Sequence, residues 1–261
     1  MSLTAGIAPA RTVSKAINQP ELDYKLAWRW LLPVLEGRTV LAHGWDDAET
    51  QYLQSVLRFT LVTRAQDAVA CLVNCEAQQW IEPLPDSIQF CLLLGPGKAV
   101  NRYSKALSGF SARRDYGLLP AHTPRIVVPL SSGSAARAGL RLHRPGKVAA
   151  RLGVQLASLL TFLGSFHLLT SKKIAFLARD NGAVMGSLRQ ITNLAQAEDF
   201  ALYLGSTAME RKIVALPIGG QTTACIAKPT DIGLGRATLR REATAISALR
   251  ARGMGGWMPD L

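Results

Sequence analysis

The 261-residue chain is 48% hydrophobic and only 18% charged, a composition that fills packed cores and excludes a disordered polyelectrolyte. Its net charge of +12 points to anionic partners, whether nucleic acid, anionic lipid or a phosphorylated ligand. Half of that excess lies in residues 141–180, which carry seven Lys/Arg against one Asp/Glu.

Residues 1–20 read as a flexible arm ending at Pro20. A helix is expected from Leu22 to Leu32, stopped by Pro33, followed by a buried strand Thr39–His43 that opens on Gly44. Helical spacing follows over Ala48–Leu57, then short strands at Phe59–Thr63 and Val69–Val73 and a turn at Pro83–Pro85. Phe90–Leu94 is the clearest strand of this half, closed by Gly95-Pro-Gly97, and a basic helix follows over Asn101–Leu107. Two extended runs, Phe110–Leu118 and Arg125–Leu130, flank the Pro120–Pro124 turn and are expected to close the sheet as an antiparallel pair. Alternating strand and helix imply a layered α/β domain over residues 21–135.

Chemistry-bearing residues are sparse here. Cys71, Cys75, Cys91 and Cys225 are scattered, no His completes a zinc set, and buried structural thiols in a reducing cytoplasm are the expectation. Asp46, Asp47 and Glu49 cluster after the first strand, where they fit either a cation site or, more simply, a helix start favoured by the helix dipole.

The strand–Gly44–helix–strand order, the Leu92-Leu-Leu-Gly-Pro-Gly97 strand end and Gly109-Phe110 before the last hairpin resemble a class I S-adenosylmethionine-dependent methyltransferase over roughly residues 30–130. The resemblance implies a Rossmann-like sheet with Gly44 at the cofactor turn. Two departures stand out: His43-Gly-Trp-Asp-Asp47 has one glycine and a bulky Trp45, and Thr63-Arg64 stands where the family places a ribose-binding acid, with Asp67 three residues further on.

Residues 136–197 read as a basic connector built around an apolar helix in 152–170. Gln155, Ser158, Thr161 and Ser165 form one narrow polar stripe on it, and Arg141, Arg144, Lys147, Arg151 and Ser171-Lys-Lys173 flank it. It is too short and polar to be read as a spanning helix. Two readings remain: a helix packed between domains, or one lying on an anionic membrane surface. Nucleic acid is disfavoured, because no basic platform interleaved with aromatics appears. Ile174–Ala178 reads as a short strand or helical turn, and Val184–Ala195 as helical.

From residue 198 three strands are expected: Phe200–Leu204, Lys212–Ile218 and Thr222–Ala227, with a Gly219-Gly220 hairpin turn, then a helix over Leu234–Leu249. The run Leu204-Gly-Ser-Thr, Ala227-Lys-Pro-Thr and Leu239-Arg-Arg-Glu-Ala resembles the N-lobe of aminoglycoside phosphotransferases and kinase-like proteins. By that resemblance Lys228 contacts the phosphates of Mg-ATP, Glu242 holds Lys228, and Gly205 lies in the turn over the nucleotide. The catalytic loop and the metal-binding aspartate of the family's C-lobe do not follow before Leu261.

Taken together, the expected organisation is arm, degenerate methyltransferase-like domain, basic connector and a small α+β N-lobe over 198–261. The expected function is a non-catalytic, nucleotide-binding scaffold assisting a system that modifies a polysaccharide, metabolite or peptide. A protein partner, one able to supply a kinase C-lobe, is implied, with a cytoplasmic location at the inner membrane. The alternatives are half of a split small-molecule phosphotransferase, or a methyltransferase with an atypical pocket.

Overall fold

The computed structural model describes residues 22, 25–77, 83–107, 109–120, 124–141, 148–162, 170–180, 197–204 and 213–219, with 241, 243–245, 247–248 and 251 near the C-terminus. Their strands are β1 (Thr39–His43), β2 (Thr60–Val62), β3 (Ala70–Asn74), β4 (Phe90–Pro96), β5 (Ala112–Leu119), β6 (Ile126–Pro129), β7 (Lys172–Ala178), β8 (Asp199–Tyr203) and β9 (Val214–Ile218). All nine belong to one mixed sheet in the order β2-β1-β3-β4-β7-β5-β6-β8-β9.

The first four strands are parallel, and every pairing from β4 to β9 is antiparallel. Near-continuous apolar runs explain why the middle of the sheet is buried on both faces. Ala70–Val73, Phe90–Leu94 and Ile174–Ala178 are all buried. Alternate residues divide between two cores. Leu72, Leu92, Ile174, Phe176 and Tyr116 face one, with Trp28, Leu32 and Leu53; Cys71, Val73, Cys91, Leu93 and Leu177 face the other, with Val100 and Tyr103.

The helices include α1 (Asp47–Leu57), α2 (Gly97–Ala106), α3 (Gly133–Arg141) and α4 (Val148–Phe162), and the described residues 241, 243–245, 247–248 and 251, most of them inside the helix expected over Leu234–Leu249, are helical too. Helix α3 packs on β6, β8 and β9, and α4 packs against α3 in a further layer. Within the expected Leu22–Leu32 helix, Leu22 and Lys25 are helical, the Leu26 amide donates to the Leu22 carbonyl at 2.9 Å, and a short 3-10 helix follows over Ala27–Leu31.

Three expectations are corrected by this topology. The Phe110–Leu118 and Arg125–Leu130 pair does not close the sheet, because β5 is interior and β6 pairs onward with β8. The 136–197 region is more than a connector, since Ile174–Ala178 lies in β7, hydrogen-bonded to both β4 and β5. The strand at Asp199–Tyr203, expected to open a lobe of its own, joins this sheet: β8 pairs with β6 through Ile126–Tyr203 and Val127–Leu202. The physical reason is common to all three. An apolar strand with open hydrogen-bonding edges is stabilised by whichever partner tertiary folding brings beside it, and that partner can be distant in sequence. The expected strand Thr222–Ala227, the helix Val184–Ala195 and Gly220 lie outside the described residues.

Arg179, just after β7, ties two separate turns to the sheet. Its Nε donates to the Ile88 carbonyl at 2.9 Å, its terminal nitrogens to Gly109 at 3.3 Å and Pro85 at 3.4 Å, and it pairs with Asp86 at 3.0 Å. Its guanidinium also lies 5.1 Å from the Phe110 ring centroid. Arg179→Ala is expected to lower stability by about 2 kcal/mol in urea unfolding, by orphaning these acceptors. Lysine, which lacks the planar fork, should recover little of the loss.

Candidate functional site

In a sheet whose strand order reverses, ligands bind outside the carboxyl ends of the parallel strands at the point of reversal. Here that point lies between β1 and β3, with Gly44 on one side and Asn74 on the other. Gly44 has φ +74°, and a Cβ built on it would lie 2.5 Å from the Asn74 carbonyl oxygen and 3.0 Å from the Ala77 Cβ. The chain leaving β1 therefore rests directly on the chain leaving β3. Beside it, the Gly95 Cα approaches Cys75 so closely that a Cβ would sit 3.0 Å from the Cys75 Cβ.

Trp45 points into the protein. Its Nε1 donates to the Leu72 carbonyl at 2.9 Å, and its ring centroid lies 5.7 Å from that of Trp28. Asp46 caps α1, accepting from the Glu49 amide at 2.7 Å, while Glu49 is buried and paired with Lys25. The acidic cluster thus serves the helix start, the simpler of its two readings. Arg64 and Asp67 are both exposed after β2, with Asp67 in a 3-10 turn. Glu76 pairs with Lys172 at 2.8 Å.

The described thiols are buried and free. Burial pushes the Cys75 thiol up to about 12, and a hydrogen bond with Cys71 together with burial holds Cys91 well above the usual thiol range. Cys75 and Cys91 are therefore neutral at physiological pH and poor nucleophiles. Among the described residues, no group of three or more His, Cys, Asp or Glu gathers to hold a metal.

The opposite edge of the sheet contains a cavity of about 540 Å³, formed where β5 and β8 begin, β6 and β9 end and α3 starts. Arg114, Ser131, Ser132, Ser134, Glu198 and Asp199 supply its polar wall. Ser132 caps α3, accepting from the Ala135 amide at 3.1 Å, and shares a 2.9 Å hydrogen bond with Ser134. Arg114 donates to the Glu198 carbonyl. Arg113 is fully engaged by Asp115, at 2.7 Å through both carboxylate oxygens, and by Ser104 and Asn101.

Asp199 is 5% exposed. It accepts from the Tyr116 hydroxyl and from its neighbour's amide, Phe200 N, at 2.8 Å. Burial holds its carboxyl above the usual range despite these donors, and burial with the adjacent Asp199 charge drives the Tyr116 phenol well above its own. This wall presents an arginine, three hydroxyls and two acids, a lining suited to a small ligand bearing both charges.

None of these cavity residues stands out in the sequence. Ser131-Ser-Gly-Ser134 before an alanine-rich run is a readable helix start, but Arg114 and Asp199 lie 85 positions apart. Of the residues singled out by resemblance, Gly44 is placed at the β1/β3 edge. Gly205, Lys228 and Glu242 lie outside the described residues. No protein-family model matches the chain, and no curated protein and no solved structure matches it.

Proposed function

We propose that the chain is a binding scaffold, a methyltransferase-type sheet whose cofactor edge is filled by its own backbone. The carrying observation is the approach of Gly44 to the Asn74 carbonyl, 2.5 Å from any added Cβ. A glycine in a cofactor turn makes room for ligand, whereas the room at Gly44 is taken by protein. The inward Trp45 and the exposed Arg64 after β2, in place of a ribose-binding acid, support the same reading. The four parallel strands with a reversal at β1/β3 support descent from the doubly wound arrangement.

Under this proposal the protein assists a partner enzyme rather than turning over substrate itself. Its resemblance to methyltransferases and to phosphotransferase N-lobes favours a partner that modifies a polysaccharide, metabolite or peptide. Nucleotide binding through Lys228 and Glu242 belongs to the same proposal. Calorimetric titration tests it. S-adenosylmethionine should produce no binding heat, and Mg-ATP should bind in a way that Lys228→Met removes. Saturable S-adenosylmethionine binding, or transferase turnover by the purified protein alone, would overturn the scaffold reading; silence with ATP would remove the nucleotide from it.

A further inference from the structure

Helix α4 is amphipathic the wrong way round for a helix serving only this core. Its small and polar residues face the protein: Ala157 is 6% and Thr161 3% exposed. Its large apolar residues face outward, with Val148 70%, Leu152 61%, Leu156 54%, Leu159 54% and Phe162 72% exposed. At 100° per residue these five lie within an arc of about 120°, along a helix about 22 Å long. The polar stripe splits accordingly: Gln155 is exposed within the apolar arc, Ser158 is half-buried and Thr161 is buried, donating to the Ser158 carbonyl at 2.6 Å. A helix packed in an interdomain core would have buried those leucines.

Charge identifies the occupant. Between Asp115 and Asp180 the sequence has nine Lys/Arg and no acidic residue. Arg151 on α4 and Arg141 at the end of α3 are exposed, and the Arg137 guanidinium lies 6.0 Å from the Phe162 ring centroid. Arg144 and Lys147 fall between α3 and α4 in the sequence. A second copy of the chain would match this cationic surface with another of the same sign, and a nucleic acid would leave the leucines and phenylalanine without an apolar partner.

We infer that α4 is an interfacial helix that lays its Val148–Phe162 apolar face into an anionic lipid surface, with the surrounding arginines at the headgroups. Such binding combines buried apolar area with attraction to anionic lipid. No described helix is long and apolar enough to cross a membrane, and a helix lying in the interface needs no such length. The inference does not depend on the scaffold reading.

The test is sedimentation of the full chain with vesicles of phosphatidylcholine alone or mixed with phosphatidylglycerol. Wild type should co-sediment with the mixed vesicles and release at high salt. The double substitution Leu156→Ser with Phe162→Ser should weaken partitioning at least about tenfold, since each buried methylene contributes. Arg141→Glu with Arg151→Glu should weaken it comparably and make the remaining binding less sensitive to salt. All four side chains are exposed, and thermal unfolding of each variant separates lost docking from lost folding.

Equal binding to neutral vesicles, or anionic binding that survives the apolar substitutions, would overturn the inference. So would absence of vesicle binding. If the same apolar variants then dissolve a dimer seen by ultracentrifugation, the occupant is a second copy; if they abolish retention on nucleic acid, it is a polynucleotide.

Discussion

Gly44→Ala is expected to lower the stability of the protein by about 3 kcal/mol, a large part of the roughly 5–15 kcal/mol typical of a folded protein. Two effects add. At φ +74° an L-residue costs roughly 1–2 kcal/mol. The new methyl must also share space with the Asn74 carbonyl, 2.5 Å away, and crowding of a packed interior typically costs about 1–3 kcal/mol. The obstacle is backbone, so no side chain can swing aside to relieve it.

Gly37 provides the matched control. Its φ is +72°, yet nothing lies within 4 Å of where an added methyl would stand, so Gly37→Ala should cost only the conformational share, about 1–2 kcal/mol. Urea unfolding of the two variants isolates the packing contribution. Equal losses would show that the β1 and β3 ends are not in tight contact, and would remove the main support for a filled cofactor edge.

Asp199→Ala is expected to cost about 2–4 kcal/mol, because it leaves the buried Tyr116 hydroxyl and the Phe200 amide without their shared acceptor. Asp199→Asn keeps an acceptor oxygen at that position and should cost much less. The pair also predicts a pH dependence with a definite sign. The Asp199 carboxyl is held above its ordinary value in the folded protein, chiefly by burial. The folded state therefore binds the proton more tightly than the unfolded chain does. Its contribution is fully present below the unfolded value near 3.8 and is lost as pH rises through the folded value.

Denaturant midpoints measured across that window should fall more steeply with rising pH in the wild type than in Asp199→Asn. Parallel curves would mean that Asp199 titrates as it does in the unfolded chain. Tyr116→Phe should also destabilise, since it strips a donor from the buried carboxylate while leaving the ring packed edge-on, 5.4 Å from Phe176.

Local periodicity carried much of the element list. Thr39–His43 is legible to the residue, and the readings Phe90–Leu94 and Ala48–Leu57 fall within two residues of the observed bounds, because buried strands and capped helices write their signals in adjacent residues. The reading of Asp46 as part of a helix start needed only the acids that follow it. The buried, unreactive cysteines followed from their scatter and apolar neighbours.

Pairing was not legible in the same way. Ile174–Ala178 is apolar enough to be a strand, but nothing within it names Phe90–Pro96 and Ala112–Leu119 as its neighbours. Likewise Phe200–Leu204 reads as a strand whether it opens a new lobe or joins β6. The cavity wall is assembled from Arg114, Ser131–Ser134 and Glu198–Asp199, and no one segment contains enough of it to be recognised.

Helix α4 divides the two kinds of information most clearly. The sequence by itself indicated an apolar helix within 152–170, set in a cationic stretch without acids, since these properties reside in the residues themselves; the helix found is Val148–Phe162. Only the tertiary structure decided which side is buried: close packing against α3 admits Ala157 and Thr161, and leaves the larger Leu152, Leu156, Leu159 and Phe162 outside. Hydrophobicity is a property of a side chain, but burial depends on the shape of what lies opposite, and that neighbour is supplied by the fold.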